Sequence, residues 1–270
     1  NEFTSMNKYL NVFLCVLCLL SCVVWANVSN EAPVAGHNTE EEQPALFNPA
    51  QGTYAYYIFK LIRENNPEET GKLAEKAFAY AYVGFLNLKA QGLIPKASSI
   101  ISICDFTLSG NEKRLWVIDV KSKKVLVHSL VSHGRNTGEE FATQFSNRDG
   151  SYQSSLGFYL TDATYQGSNG YSLKLNGLDA GLNDNAGRRA IVMHGASYCS
   201  DDFIRQHGRL GRSLGCPSVP LEQHREIIDM IKDGTLLYIY HEQQPVLQAS
   251  KWLKSGQRGL IAGLETSLLD

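Results

Sequence analysis

The stretch "SIISICDFTLSGNEKRLWVIDVKSKKVLVHSLVSHG", residues 99–134, decides the fold class. It holds three short apolar runs, "SIISICDF", "RLWVIDV" and "KVLVHSLVSHG", rich in Ile and Val. Side chains branched at Cβ crowd a helix but fit a pleated, partly buried strand. Between the runs lie "SGNEK" (109–113) and "VKSKK" (120–124), which predict hairpin turns. The same texture continues in "GFYLTDATY", "YSLKLNG", "RAIVMHG" and "GTLLYIYHE", so about seven strands are expected within residues 96–243. Two helical pieces, "DDFIRQHG" and "LEQHREIIDMIKDG", interrupt them, the second beginning just after a cysteine-bearing loop. The expectation is a mainly β domain with small helices.

Upstream the texture is different. Residues 46–95 read as a helical region. "YAYYIFKLIREN" comes first, and Pro67 then opens "PEETGKLAEKAFAYAYVGFLNLKAQGLI". Leu73, Ala77, Tyr80, Ala81, Gly84 and Leu88 recur at three- and four-residue spacing, which predicts one amphipathic helix. Glu68 and Glu69 suit its first turn, where the helix dipole favours negative charge, and Gly92 and Pro95 end it. Residues 27–45 are polar, acidic and proline-containing and read as a flexible linker. Residues 244–270 form a tail with a helical look and no chemical motif.

Asn1–Ser5 precede the first methionine and read as a cloning remnant. From Met6 to Ala26 the chain has a short basic start, an apolar run and small residues suited to cleavage, which predicts a secretory signal peptide and an exported protein, periplasmic or associated with the cell wall. The run is short for a membrane span, which needs about 20 apolar residues. "LLSC" (19–22) offers the alternative of a lipid anchor on Cys22. Beyond that leader three cysteines remain, Cys104, Cys199 and Cys216. An odd number leaves at least one thiol without an internal partner, and Cys104 and Cys199 are open to pairing or to being free. With 43% hydrophobic and 19% charged residues and a net charge of −2, the 270-residue chain has a globular balance and no basic field for nucleic acid.

The chemistry concentrates in "IVMHGASY" (191–198) and "GRSLGCPSVP" (211–220). A thiol is a nucleophile only as thiolate, and a nearby imidazole raises the thiolate's availability. His194 ends an apolar strand run, where a side chain is held rigidly. Gly215 lets backbone and substrate approach Cys216, and the helix after the loop was placed to favour a negative sulfur or oxyanion.

These residues, with "VSHGRNTG" (131–138), "ATQFSNRDGSYQSSLGFYLT" (142–161) and "GYSLKLNGLDAGLNDNAGRRAIVMHGASY" (170–198), resemble the L,D-transpeptidase (YkuD-like) family, in its murein L,D-transpeptidase catalytic-domain branch. The resemblance spans about residues 98–241 and implies a catalytic β-sandwich or barrel. It implies that Cys216 is the acyl-accepting nucleophile, His194 its base, and the Gly195 carbonyl the group that orients the imidazole. Ser213 would support the loop, and backbone N–H groups at Leu214, Gly215 and Cys216 would form the oxyanion hole. Two departures stand out: Leu214 replaces a second histidine, and Ser218 replaces an Arg or Asn. Arg212, Arg188 and Arg189 are candidates for the missing cation, and His133 and Arg135 for substrate contacts. The implied reaction is 3–3 cross-linking of peptidoglycan stem peptides, donor and acceptor, with release of D-Ala and without cofactor or metal. L,D-carboxypeptidase or endopeptidase action at the same cysteine, and a non-enzymatic peptidoglycan-binding module, are the alternatives. A zinc site of Cys199, Cys216, His194 and another histidine lacks the spacing of a zinc motif. Carbapenem-type β-lactams are the expected inhibitors.

Overall fold

A computed structural model describes residues 53–254. The leader, the lipid-anchor alternative, the linker, the start of the helical region and the tail past 254 lie outside the described residues.

Eight strands form one mixed sheet: β1 (Ile100–Asp105), β2 (Leu115–Asp119), β3 (Lys124–Ser129), β4 (Gly157–Gly167), β5 (Gly170–Gly177), β6 (Val192–Ala196), β7 (Ser218–Pro220) and β8 (Leu236–Tyr240). Their spatial order is β3-β2-β1-β8-β4-β5-β6-β7. Neighbours are antiparallel except β1 with β8 and β6 with β7, which run parallel. The chain leaving β3 crosses to the far edge: Ser132 N–H donates to Ser218 O at 2.8 Å, and Arg135 N–H to Ser213 O at 2.8 Å. These bonds tie the two ends of the sheet together, so the sheet is a nearly closed barrel.

The strands are apolar on both sides because both faces are covered. Period-two alternation sends Ile101, Ile103, Trp116, Ile118, Phe158, Tyr238 and Tyr240 to one core. It sends Cys104, Leu115, Val117, Tyr159, Leu173, Leu237 and Ile239 to the other. The first core is roofed by helices α1 (Tyr54–Asn65) and α3 (Glu75–Ala90). The second receives Ile227, Ile228 and Ile231 of α5 (His224–Ile231), which follows the short α4 (Asp201–His207) in the chain. Each such side chain contributes about 1.5–3 kcal/mol when fully buried.

The helical region differs from the sequence expectation in two ways. The stretch opened by Pro67 is two helices, α2 (Pro67–Thr70) and α3, separated at Gly71–Ala74. Nor is α3 amphipathic: every residue from Ala77 to Lys89 is buried. Two of its polar side chains donate to backbone outside the helix. Asn87 donates to Trp252 O at 2.7 Å, and Lys89 Nζ to Ser98 O at 2.8 Å. Gly84 lets the helix lie directly on β4, because any Cβ there would collide with the Phe158 ring. Trp252 belongs to a short 3-10 turn (Lys251–Leu253) after α6 (Gln244–Ala249), so this end of the chain seals the helical face.

Candidate active site

The site is built on the parallel pair β6–β7. His194 lies in β6, in register with Ser218 of β7. Cys216 lies in the bend just before β7, within reach of the Val192 backbone. A three-residue strand bracketed by Pro217 and Pro220 carries too little pattern to be read from sequence, and β7 was missed for that reason. Its presence corrects one expectation. Because residues 218–220 are strand, α5 starts only at His224, and its N-terminus abuts β6 rather than the sulfur. A Cβ on Gly195 would fall 2.6 Å from the His224 ring.

His194 is buried and its two ring nitrogens are differentiated. Nδ1 lies 3.0 Å from Gly195 O, an acceptor, so Nδ1 carries the proton and donates. Nε2 is therefore the basic lone pair. It faces the Ser218 hydroxyl at 3.3 Å, whose oxygen lies 2.9 Å from the Tyr198 hydroxyl. A consistent chain has Tyr198 O–H donating to Ser218 and Ser218 O–H donating to Nε2. Burial pulls the imidazole below its ordinary range, with the Gly195 bond acting against the shift and nearby His224 adding to it.

Cys216 is half-buried, and its S–H points at Ala190 O at 3.7 Å. Ala190 is held at φ +52°, a left-handed conformation that a non-glycine residue rarely adopts. Burial pushes the Cys216 thiol up, while the Val192 N–H and the positive charge of Arg189 pull it back. The resting pair is therefore neutral thiol and neutral imidazole.

The loop before the cysteine is knitted by Ser213. Its hydroxyl donates to Cys216 O at 2.6 Å and accepts from Gly215 N–H at 3.0 Å. The Gly215 amide is thus consumed within the loop, which corrects its assignment as an oxyanion donor. Gly215 itself sits at φ +125°, and a Cβ there would meet Gln153 O at 2.9 Å.

The candidate substrate contacts separate sharply. His133 is 2% exposed. Its Nδ1 accepts from Arg114 Nη2 at 2.7 Å and its Nε2 donates to Gly138 O at 3.2 Å. Burial and the adjacent guanidinium drive its pKa down to about 3. It is a buried brace, not a substrate contact, and its carbonyl accepts from Ser213 N–H at 2.9 Å. Arg114 is fully buried without a carboxylate, satisfied by Val131 O, Leu108 O and the face of Phe106. Arg212 donates to Arg135 O, Gly138 O and Glu139, so its charge is engaged. Arg189 runs beneath the loop and donates to Ser146 O, Ser155 Oγ, Ser151 Oγ and Gln153 O. Arg188 donates to Asn185 Oδ1 at 2.9 Å. Arg135 is exposed, with its guanidinium over the Tyr152 ring.

Cys104 and Cys199 are both free and buried, with thiols pushed up to about 12 by desolvation. Cys199 S–H donates to Ser218 O at 3.3 Å, a structural role under β7. Asn183, buried, ties Asp179 N–H to the Leu156 and Phe158 carbonyls. A depression lined by Glu68, Lys72, Lys113 and His128 lies elsewhere and contains no thiol. Among the described residues no group of three or more His, Cys, Asp or Glu side chains is gathered to hold a metal ion.

The family model described as "L,D-transpeptidase catalytic domain" (YkuD_2) matches residues 69–240, more than half of the chain. The chain belongs to that family. No curated protein matches it in sequence. Among solved structures it is similar to an L,D-transpeptidase (Yku) from Stackebrandtia nassauensis, with 14% identity, 74% of this chain and 98% of that one covered, and a TM-score of 0.33. An L,D-transpeptidase from Mycobacterium smegmatis gives 12% identity, 53% and 59% coverage and a TM-score of 0.33. An L,D-transpeptidase solved in complex with imipenem gives 12%, 53%, 59% and 0.33. The chain thus spans 59% of the length of the Mycobacterium smegmatis protein. In this L,D-transpeptidase-family domain, Leu214 is 57% exposed and Ser218 is fully buried.

The residues that sequence reasoning missed are Tyr198, Ala190 and Val192. Tyr198 closes the quoted "IVMHGASY" stretch four residues past His194, but a tyrosine there carries no signal of its own. Ala190 and Val192 act through backbone atoms, which no residue type announces.

Proposed function

We propose that the protein is a peptidoglycan L,D-transpeptidase that forms 3–3 cross-links through a thioester on Cys216. The observation that carries this is the β6–β7 pairing. It joins the strand of His194, whose Nδ1–H is committed to Gly195 O and whose Nε2 is left basic, to the short strand that the Cys216 loop leads into.

In the first half-reaction the Cys216 sulfur attacks the carbonyl joining the stem peptide's third residue to its terminal D-Ala. His194 Nε2 takes the thiol proton as the S–C bond forms. Because burial disfavours both charged forms, the proton moves with the attack rather than before it. The oxyanion is met by loop N–H groups other than that of Gly215, with Leu214 and Cys216 as the candidates. Collapse breaks the C–N bond, the imidazolium protonates the departing D-Ala amine, and a thioester remains. In the second half-reaction an acceptor side-chain amine attacks the thioester, loses its proton to His194, and the thiol is regenerated. No cofactor is required. The exported location proposed from the leader places such an enzyme with its substrate, and carbapenems are proposed to acylate the same sulfur.

Mass spectrometry of the products from disaccharide-tetrapeptide tests the reading. The expected product is a dimer lacking one D-Ala. A tripeptide monomer alone would make the domain a carboxypeptidase, and the absence of D-Ala release would refute acyl transfer.

A further inference from the structure

We infer that Arg135 and Tyr152 form a carboxylate clamp beside the nucleophile loop that selects stem peptides carrying a free carboxylate near the bond attacked by Cys216. This deepens the transpeptidase reading and rests on it for the identity of the peptide.

Three cations approach the loop, and two are engaged. Arg189 donates its four bonds to groups of the 146–155 segment, and Arg212 is paired with Glu139 at 2.8 Å. Arg135 differs: its side chain makes no hydrogen bond or ion pair among the described residues. It is held by geometry instead. Its N–H donates to Ser213 O at 2.8 Å, three residues before the cysteine, and its guanidinium carbon sits 4.3 Å from the centroid of the Tyr152 ring. Arg135 is exposed, so its fork of N–H donors is open to solvent. That fork matches a carboxylate in two parallel bonds.

Tyr152 is placed for this task at a local cost. It is held at φ +54° and is 38% exposed, although neither burial nor a hydrogen bond from its hydroxyl requires the ring there. Its backbone is fixed on both sides. Tyr152 O accepts from Asn136 N–H at 3.1 Å, and the flanking Ser151 and Gln153 are held by Arg189 from below. Strain of this kind persists where surrounding structure over-determines it, and it clusters at ligand sites. The clamp is rigidly linked to the thiol loop, because Ser154 Oγ accepts from Gly134 N–H at 3.0 Å and donates to Gly215 O at 3.2 Å.

Two carboxylates of a stem peptide could supply the ligand, the terminal one of D-Ala and the one on the diaminopimelate side chain. The test compares the wild-type chain, Arg135→Met and Tyr152→Leu on disaccharide-tetrapeptides with both carboxylates free, with either one amidated, and with both amidated. With both free, Arg135→Met is expected to raise KM about tenfold with kcat little changed, the worth of one charged hydrogen-bonded pair. Tyr152→Leu should give a smaller rise in the same direction. With both amidated, wild type and Arg135→Met should become equal, and the singly amidated substrate on which they converge identifies the carboxylate. An unchanged KM on the free acid, or an equal loss on the doubly amidated substrate, overturns the clamp. Titration of Cys216→Ala, with and without Arg135→Met, by the same peptides reads binding without turnover. Acid-selective binding that depends on Arg135 upholds the clamp even if the wild type releases no D-Ala, and binding indifferent to amidation overturns it.

Discussion

The chain carries two similar words, "SHG" at 132–134 and "MHG" at 193–195, and the fold uses them in opposite ways. Both histidines are buried, and burial holds both below the ordinary imidazole range. What separates them is the partner of the second ring nitrogen. In His133 both nitrogens are occupied, one by the buried Arg114 guanidinium and the other by a carbonyl. In His194 one nitrogen is fixed on Gly195 O, and the other meets only the hydroxyl of Ser218, in the strand that follows the Cys216 loop. Burial lowers basicity in both, but only a lone pair held by an exchangeable hydroxyl, rather than by a buried guanidinium, is available to act as a base.

The largest expected effect tests this contrast directly. His194→Ala should reduce acylation of Cys216 by about a thousandfold, within the range of a lost general base. His133→Gln, which keeps one acceptor and one donor, should stay within about tenfold of wild type, since its site is structural. Equal losses in both would erase the distinction; pre-steady-state acylation rates decide it.

Next comes the loop. Gly215→Ala places a methyl against Gln153 O on a backbone at φ +125°. An activity loss of about a hundredfold is expected, with far less change in melting temperature, because the strain falls on the nucleophile and not on the core. A wild-type rate in this variant would contradict the geometry described for the loop.

The third effect is on stability. The unfolded His133 imidazole binds a proton below about pH 6.5, whereas the folded one does so only near 3. Between those values the unfolded chain holds more protons, so the stabilising contribution is complete above about pH 6.5 and is lost as pH falls toward 3, on the order of a few kcal/mol in total. His194, shifted in the same direction, adds to the loss. Denaturant unfolding of His133→Gln across this window should show a shallower decline than wild type, and parallel curves would exclude His133 as a source.

The smallest effect concerns Ser218. Burial is the main cause of the lowered His194 pKa, and the Ser218 hydroxyl, donating to the neutral Nε2, acts in the same direction, so Ser218→Ala should raise that pKa slightly. The acid limb of kcat/KM then moves to higher pH while the plateau changes only a fewfold. An unmoved limb would mean that Ser218 does not reach His194 in solution.

Much of this fold was legible before the structure. The seven strand runs have β-branched density and turn punctuation, and each corresponds to a strand. What failed had a physical reason. Helix α3 was read as amphipathic because alanines and tyrosines mark no clear polar face, yet tertiary packing buries them all round. β7 is too short and too proline-bounded to show a period. At the site, Cys216, His194, Gly195 and Ser213 were named from motif, and the structure adds the local bonds of His194 to Gly195 O and of Ser213 to Cys216 O. His133 was misjudged as a substrate contact because sequence places it after a strand but cannot show that Arg114, fully buried, reaches across to it. The occupied Gly215 amide is equally invisible, since it depends on one side-chain rotamer of Ser213.

The central claim is that Cys216, assisted by His194, carries the acyl group. Intact-mass measurement of the full chain after exposure to imipenem, followed by peptide mapping, tests it most directly. The account predicts one adduct, on the peptide containing Cys216, formed slowly in His194→Ala and at near wild-type rate in His133→Gln. An adduct on Cys104 or Cys199, or none on Cys216, would contradict it.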